Sequence, residues 1–117
     1  MATIEEVQRF LADFHMKLSI WGVYYFDERM KNSQALLDME MTRIERDVVL
    51  RGLHPTDYSE GPLLPALYER MGPPWVFGKH HKKNEIYIKI AMGAFNERTI
   101  CISFHPAEFP MTYPLKK

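Results

Sequence analysis

The sequence predicts an α+β protein, a small antiparallel sheet of about four strands with N-terminal helices packed on one face. Three observations carry this. Residues 3–18 place apolar side chains at helical spacing behind a capping signature. Residues 85–105 alternate apolar and polar side chains at period 2 on both sides of a turn containing Gly and Asn. Helical signals come early and strand signals late, which segregates helices from sheet.

Thr3-Ile4-Glu5-Glu6 is a capping box, a Thr N-cap with Glu three residues on. Ile4, Val7, Phe10, Leu11, Phe14 and Leu18 recur at helical spacing and predict a helix over about 4–17, its stripe facing the core. SIWGVYYF (19–26) is rich in β-branched and aromatic residues and predicts a strand. Residues 27–32 read as a polar connection, with Asn32 as a cap for the next element. SQALLDME is mostly helix formers and predicts a short helix, although Leu37, Met39 and Met41 also alternate as in a strand. Thr42-Arg43-Ile44-Glu45 is a second capping box. It opens a helix from 43 to about 52 with Ile44, Val48 and one of Leu50 or Leu53 inward, ended by Gly52 and Pro55.

Residues 54–74 form a long loop with five Pro and two Gly, a length that usually serves function. Asp57 is placed to start a turn or cap a short helix, and residues 63–71 have room for one or two helical turns. Residues 75–79 read as a third strand, and HHKKN turns it into the final hairpin. The tail carries Pro106, Pro110 and Pro114, which exclude a regular helix or central strand and predict an extended strap over the sheet.

Composition narrows the class. The chain has 117 residues, read as one domain (1–117), and is 46% hydrophobic and 26% charged, as in a soluble globular protein. No apolar run is long enough to span a bilayer, and the charged, helix-patterned MATIEEVQRF is unlike a signal peptide. A lone cysteine, Cys101, excludes an internal disulfide and suits a reducing cytoplasm. Net charge is zero but polarised. Residues 1–74 hold 8 Lys and Arg against 12 Asp and Glu, and residues 75–117 hold 7 against 3. The sheet half is therefore the basic half, which is compatible with phosphate binding and equally with an uneven surface.

Within the hairpin, Ile86, Ile88, Ile90 and Met92 share one face of the first strand, and Tyr87 and Lys89 the other. Ile100, Ile102 and Phe104 would face the core from the second strand, leaving Thr99, Cys101, Ser103 and His105 opposite. With a loop over roughly 93–98, Tyr87 pairs with Ser103 or His105. Tyr, Lys and His are proton-transfer and charge-stabilising types. Trp75, Phe77 and Lys79 alternate on the neighbouring strand. If they face the same way, aromatics and cations interleave as single-stranded RNA requires. The same residues also fit a plainer account: Trp75 and Phe77 as core, Tyr87 and Lys89 as a solvated face, His105 bonded to a carbonyl. Metal and nucleotide chemistry find little support. His80 and His81 are adjacent and point apart in a strand or turn, no Cys or His pairing has ligand spacing, and there is no P-loop or nucleophile elbow. Cys101 reads as a small buried residue.

Gly52-Leu53, Asp57-Tyr58, Trp75, IYIKI (86–90) and CISF (101–104) closing on a polar residue resemble the motility-quorum-sensing-regulator toxins, within the RelE-like bacterial ribonuclease toxins. QALL (34–37) is similar to that family's short second helix, and the resemblance covers roughly residues 34–105. It implies a RelE-like toxin fold and a metal-independent mRNA endoribonuclease with no cofactor. It also implies an antitoxin partner in a type II toxin–antitoxin pair. Tyr87 and Lys89 fall on the family's hairpin Tyr and Lys, and His105 falls where a basic residue follows the Ser-Phe pair. Glu60 stands near the place of a family Lys, a departure for which Lys79 is the candidate substitute. The candidate catalytic set is thus His105, Tyr87, Lys89 and Lys79, and the candidate RNA contacts are Trp75, Phe77, Ser103, His80 and His81. The alternative is a non-catalytic protein- or peptide-binding module using the same face and the Pro-rich loop.

Overall fold

Helix α1 runs over Ile4–Trp21 and lays Val7, Phe10, Leu11, Phe14 and Leu18 into the core. The computed structural model describes residues 1–26, 30–64 and 69–116. Thr3 caps α1 as its sequence requires: its hydroxyl accepts the Glu6 N–H, and the Glu6 carboxylate accepts the Thr3 N–H. The helix is one turn longer than its sequence suggested, because Leu18 still belongs to the buried stripe. It stops at Gly22, whose φ of 82° is open to glycine and whose N–H returns to the Leu18 carbonyl. The expected strand over 19–26 is therefore cut to β1, Val23–Tyr25.

Helix α2 covers Met30–Asp38, which settles SQALLDME as helix. Asn32 lies inside α2 and not at its cap; its side chain and residues 27–29 are outside the described set. Helix α3 covers Arg43–Arg51, with the second capping box formed by Thr42 and Glu45. Its inward face is a correction. Ile44 and Val48 are 78% and 62% exposed, and Arg46, Val49 and Leu50 point in. The cause is Arg46, whose guanidinium carbon sits 3.4 Å from the centroid of the Tyr25 ring and turns that side of the helix toward the sheet.

Four further strands complete the sheet: β2 (Tyr58–Glu60), β3 (Trp75–His81), β4 (Asn84–Ala91) and β5 (Thr99–Pro106). Among the described residues the order is β1-β5-β4-β3-β2. The architecture is α+β as expected, but the sheet is mixed and five-stranded. β1 runs parallel to β5, and β2 is recruited from the Pro-rich loop. Before β2, residues 55–57 make a 3-10 turn in which the Asp57 carboxylate accepts the His54 N–H at 2.8 Å. Among the described residues of the expected 63–71 turns, 69–71 are helical, and 65–68 lie outside the described set.

The helices cover one sheet face. Ile86, Ile88 and Ile90 of β4 and Phe104 of β5 meet α1 there, as their alternation indicates. Trp75, Phe77 and Lys79 pair with Ile90, Ile88 and Ile86 and so share that face. The Trp75 ring stacks on Phe10 at 4.5 Å, and Phe77 is fully buried 6.1 Å from Phe10. Polar tethers fasten α1 from end to end. Ala2 N–H donates to the Tyr58 hydroxyl, His15 Nε2 to the Leu50 carbonyl, and Lys17 Nζ to the Met92 and Ala94 carbonyls at 2.7 Å each. No helix among the described residues is long and apolar enough to cross a membrane. Phe77 carries a core load and not a surface one, so Phe77→Ala should lower the unfolding free energy by about 3–5 kcal/mol in urea titrations. A loss under about 0.5 kcal/mol, the range of an exposed ring, would contradict its placement.

Candidate active site

The face turned away from the helices holds the chemistry. On β4 the side chains of Glu85, Tyr87 and Lys89 alternate with the core isoleucines. On β5 the expected alternation is broken. Lys89 pairs with Ser103 and Ile90 with Cys101, so Ile102 is an extra residue, a β-bulge. Before the bulge, Cys101 faces the core and Ile100 faces away; after it, Ser103 and His105 face away and Phe104 faces in. Ile100 and Cys101 thus take faces opposite to those that unbroken alternation assigns. The shift leaves Tyr87 paired with His105 and Lys89 with Ser103. Cys101 is buried, as its small size suggests.

Tyr87 and His105 stack, their ring centroids 5.3 Å apart and their planes 13° from parallel. His105 is nearly buried, and its Nδ1 lies 2.9 Å from the Pro106 carbonyl oxygen. A carbonyl only accepts, so Nδ1 carries the proton and Nε2 of the neutral ring carries the basic lone pair. Burial first, and then the Glu60 carboxylate, push the Tyr87 phenol above its ordinary value of 10.0. These residues floor a cleft of about 510 Å³. Ser59 and Glu60 of β2 close one side, and the tail over residues 107–112 closes another.

The tail crosses the sheet as the expected strap. The Ala107 N–H donates to the Glu85 carbonyl at 2.8 Å. The Glu85 carboxylate accepts the Met111 N–H at 3.1 Å through Oε1 and the Tyr113 hydroxyl at 2.7 Å through Oε2. Gly78 makes the crossing possible. A Cβ there would overlap the Tyr113 hydroxyl and lie 2.8 Å from the Met111 sulfur.

Of the expected site residues, the fold brings together Tyr87, Lys89, Ser103 and His105. Trp75 and Phe77 lie in the core on the far face and offer no stacking platform here. Lys79 is also on the far face, its Nζ 2.9 Å from Asp57. His80 is exposed beyond the cleft, 3.9 Å from Glu85, and His81 lies 3.6 Å from Glu45 of α3. Ser59 and Glu60 line the cleft as members of the Pro-rich loop that the binding-module alternative set beside this face, and the tail lines it as the expected strap, though neither was among the expected site residues. Glu60 stood out in the sequence only as a departure from the family pattern, since β2 itself left no periodic signal. Among the described residues no three His, Cys, Asp or Glu side chains converge as metal ligands. Comparison with family models, curated proteins and solved structures returns no significant match.

The strap depends on an ionised Glu85. The Tyr113 hydrogen bond, foremost, holds its carboxyl below the ordinary 4.5. The strap's contribution to stability is thus complete above that value and is lost as pH falls through the lower folded value. Protection factors of the amides over residues 107–116, taken relative to intrinsic exchange at each pH, should fall as pH drops across that window, and Glu85→Gln should lower them at neutral pH. Unchanged protection in Glu85→Gln would refute the anchor.

Proposed function

We propose that the protein is a metal-independent endoribonuclease acting on single-stranded mRNA in the cytoplasm, the toxin of a type II toxin–antitoxin pair. The observation that carries the ribonuclease reading is the Tyr87–His105 stack, set beside Lys89 and Ser103 in one cleft. The toxin reading adds the resemblance of the IYIKI and CISF hairpin to the motility-quorum-sensing-regulator toxins.

The residues supply each part of an internal transesterification. His105 Nε2 takes the proton of a ribose 2′-OH, whose oxygen attacks the adjacent phosphorus. The P–O5′ bond breaks, and the Tyr87 phenol gives its proton to the departing O5′. The products are a 2′,3′-cyclic phosphate and a 5′-OH. The Tyr87 phenol is protonated at neutral pH, and a phenol is a stronger acid than the alcohol it protonates. Lys89 stabilises the charge that grows on the non-bridging oxygens, and Ser103 hydrogen-bonds the same group. Lys79 has no part, because it faces Asp57 on the other side of the sheet.

Single-stranded RNA incubated with the protein in EDTA should be cut to cyclic-phosphate ends. Tyr87→Phe and His105→Ala should each slow the cut by about 10²–10⁴-fold. Lys79→Met should lower thermal stability and leave turnover near wild type. Cutting that persists in the Tyr87→Phe, His105→Ala double variant would overturn the assignment. In the wild-type minus Tyr87→Phe ultraviolet titration, the midpoint of phenolate formation should lie above pH 10.0. Expression without an antitoxin should arrest growth, and His105→Ala should relieve the arrest. Intact RNA and harmless expression, with a partner protein copurifying, would favour the binding-module alternative.

A further inference from the structure

The face that carries Tyr87 and His105 continues past the bulge to a second concavity. Ile100 pairs with Ala91 of β4 and Tyr24 of β1, so Tyr24 stands on the same face as Lys89. Tyr24 and Ile100, with Arg70, Met71, Glu97 and Arg98, line a hollow of about 190 Å³. The Arg98 guanidinium carbon lies 5.2 Å from the centroid of the Tyr24 ring. Phe26 packs edge-on against Tyr24, their ring centroids 5.5 Å apart. Arg70 and Arg98 are exposed at the rim. An aromatic ring held by its neighbours, beside two guanidinium groups, is a platform for an unpaired base and its phosphate. Five residue steps along β5 separate Ile100 from His105, roughly 17 Å at about 3.3 Å per residue. That lies within the reach of a short strand already seated in the main cleft.

We propose that Tyr24, Arg70 and Arg98 form a second RNA subsite, which stacks one base and grips one or two phosphates of the strand whose scissile bond lies at His105. This rests on the ribonuclease reading of the main cleft, and it assigns the strand a path across the sheet from that cleft toward β1. It also gives the interleaving of aromatic and cation to residues other than Trp75 and Phe77. Glu97 at the rim disfavours phosphate on its own side, so the backbone is expected to pass along the side of the two arginines.

The test reads binding apart from cleavage. The full chain is titrated with a fluorescein-labelled single strand whose 2′-hydroxyls are methylated, long enough to span both hollows, and in parallel with a methylated dinucleotide. Arg70→Ala with Arg98→Ala should weaken the long strand about tenfold, the scale of one unstacked base. It should also flatten the slope of log affinity on log salt by about 0.7 for each phosphate no longer gripped. Arg70→Lys with Arg98→Lys should keep the salt slope and lose part of the affinity, since lysine keeps the charge but not the planar stack. Both arginines are exposed, so melting curves should match wild type.

If wild type binds the long strand and the double Ala variant binds it equally with the same slope, the subsite is overturned while the main-cleft reading stands. An equal loss for the dinucleotide, which does not reach both hollows, also overturns it. A wild-type protein that binds no RNA at low salt overturns both readings. Displacement of the labelled strand by polyaspartate as readily as by unlabelled RNA would point to an acidic protein partner and overturn the RNA assignment.

Discussion

One inserted residue governs the working face of this protein. Ile102 breaks the pairing of β5 with β4, so the residues before it and after it alternate out of step. Because side chains alternate at period 2, a one-residue slip exchanges the two faces. Without the bulge, Cys101, Ser103 and His105 would share a face, and Ile100 would enter the core. With it, Cys101 fills the core beside Tyr25, and Ile100 floors the hollow next to Tyr24. Ser103 and His105 still meet Lys89 and Tyr87. One strand thereby serves two hollows on one face and two packing partners on the other. A bulge also increases local twist.

Much of this was legible because it is local. Both capping boxes are four-residue statements, and both form as written. The alternation in β4 needs no partner to be read, and its isoleucines are all fully buried. Pro110 and Pro114 keep the strap out of regular structure, but Pro106, expected to do the same, is the last residue of β5 and stands opposite Ile86. The misses are of another kind. Alternation in β3 says that Trp75, Phe77 and Lys79 share a face, but only pairing with Ile90, Ile88 and Ile86 says which face. The bulge is silent in the sequence, because TICISFH alternates without interruption. The three-residue strand β2 owes its existence to β3, a neighbour distant in the chain. Helix α3 inverts the usual rule, turning Arg46 inward and Ile44 outward, because a buried aromatic face across the gap accepts a guanidinium.

The candidate site was therefore half visible. Tyr87 and Lys89 lie on the strand that reads most plainly. His105 and Ser103 kept their side only because the bulge moved their neighbours and not them. Glu60 lay in a loop whose composition gives no register, so its approach to Tyr87 could come only from the fold. Lys79 illustrates the opposite case. A basic residue beside aromatics looks like an RNA contact in one dimension, yet it directs its charge at Asp57, which in turn holds the 55–57 turn ahead of β2.

The strap forms part of the cleft's wall, yet it is joined to the sheet mainly through side chains and through Glu85. Two prolines, Pro110 and Pro114, deny it donors that a further strand would need. Its sequence is consequently under little architectural obligation. Insertions, deletions or exchanges between residues 107 and 112 can reshape the mouth of the cleft while its floor, built on β4 and β5, keeps its form. Selection thus has a separate handle on what enters the site.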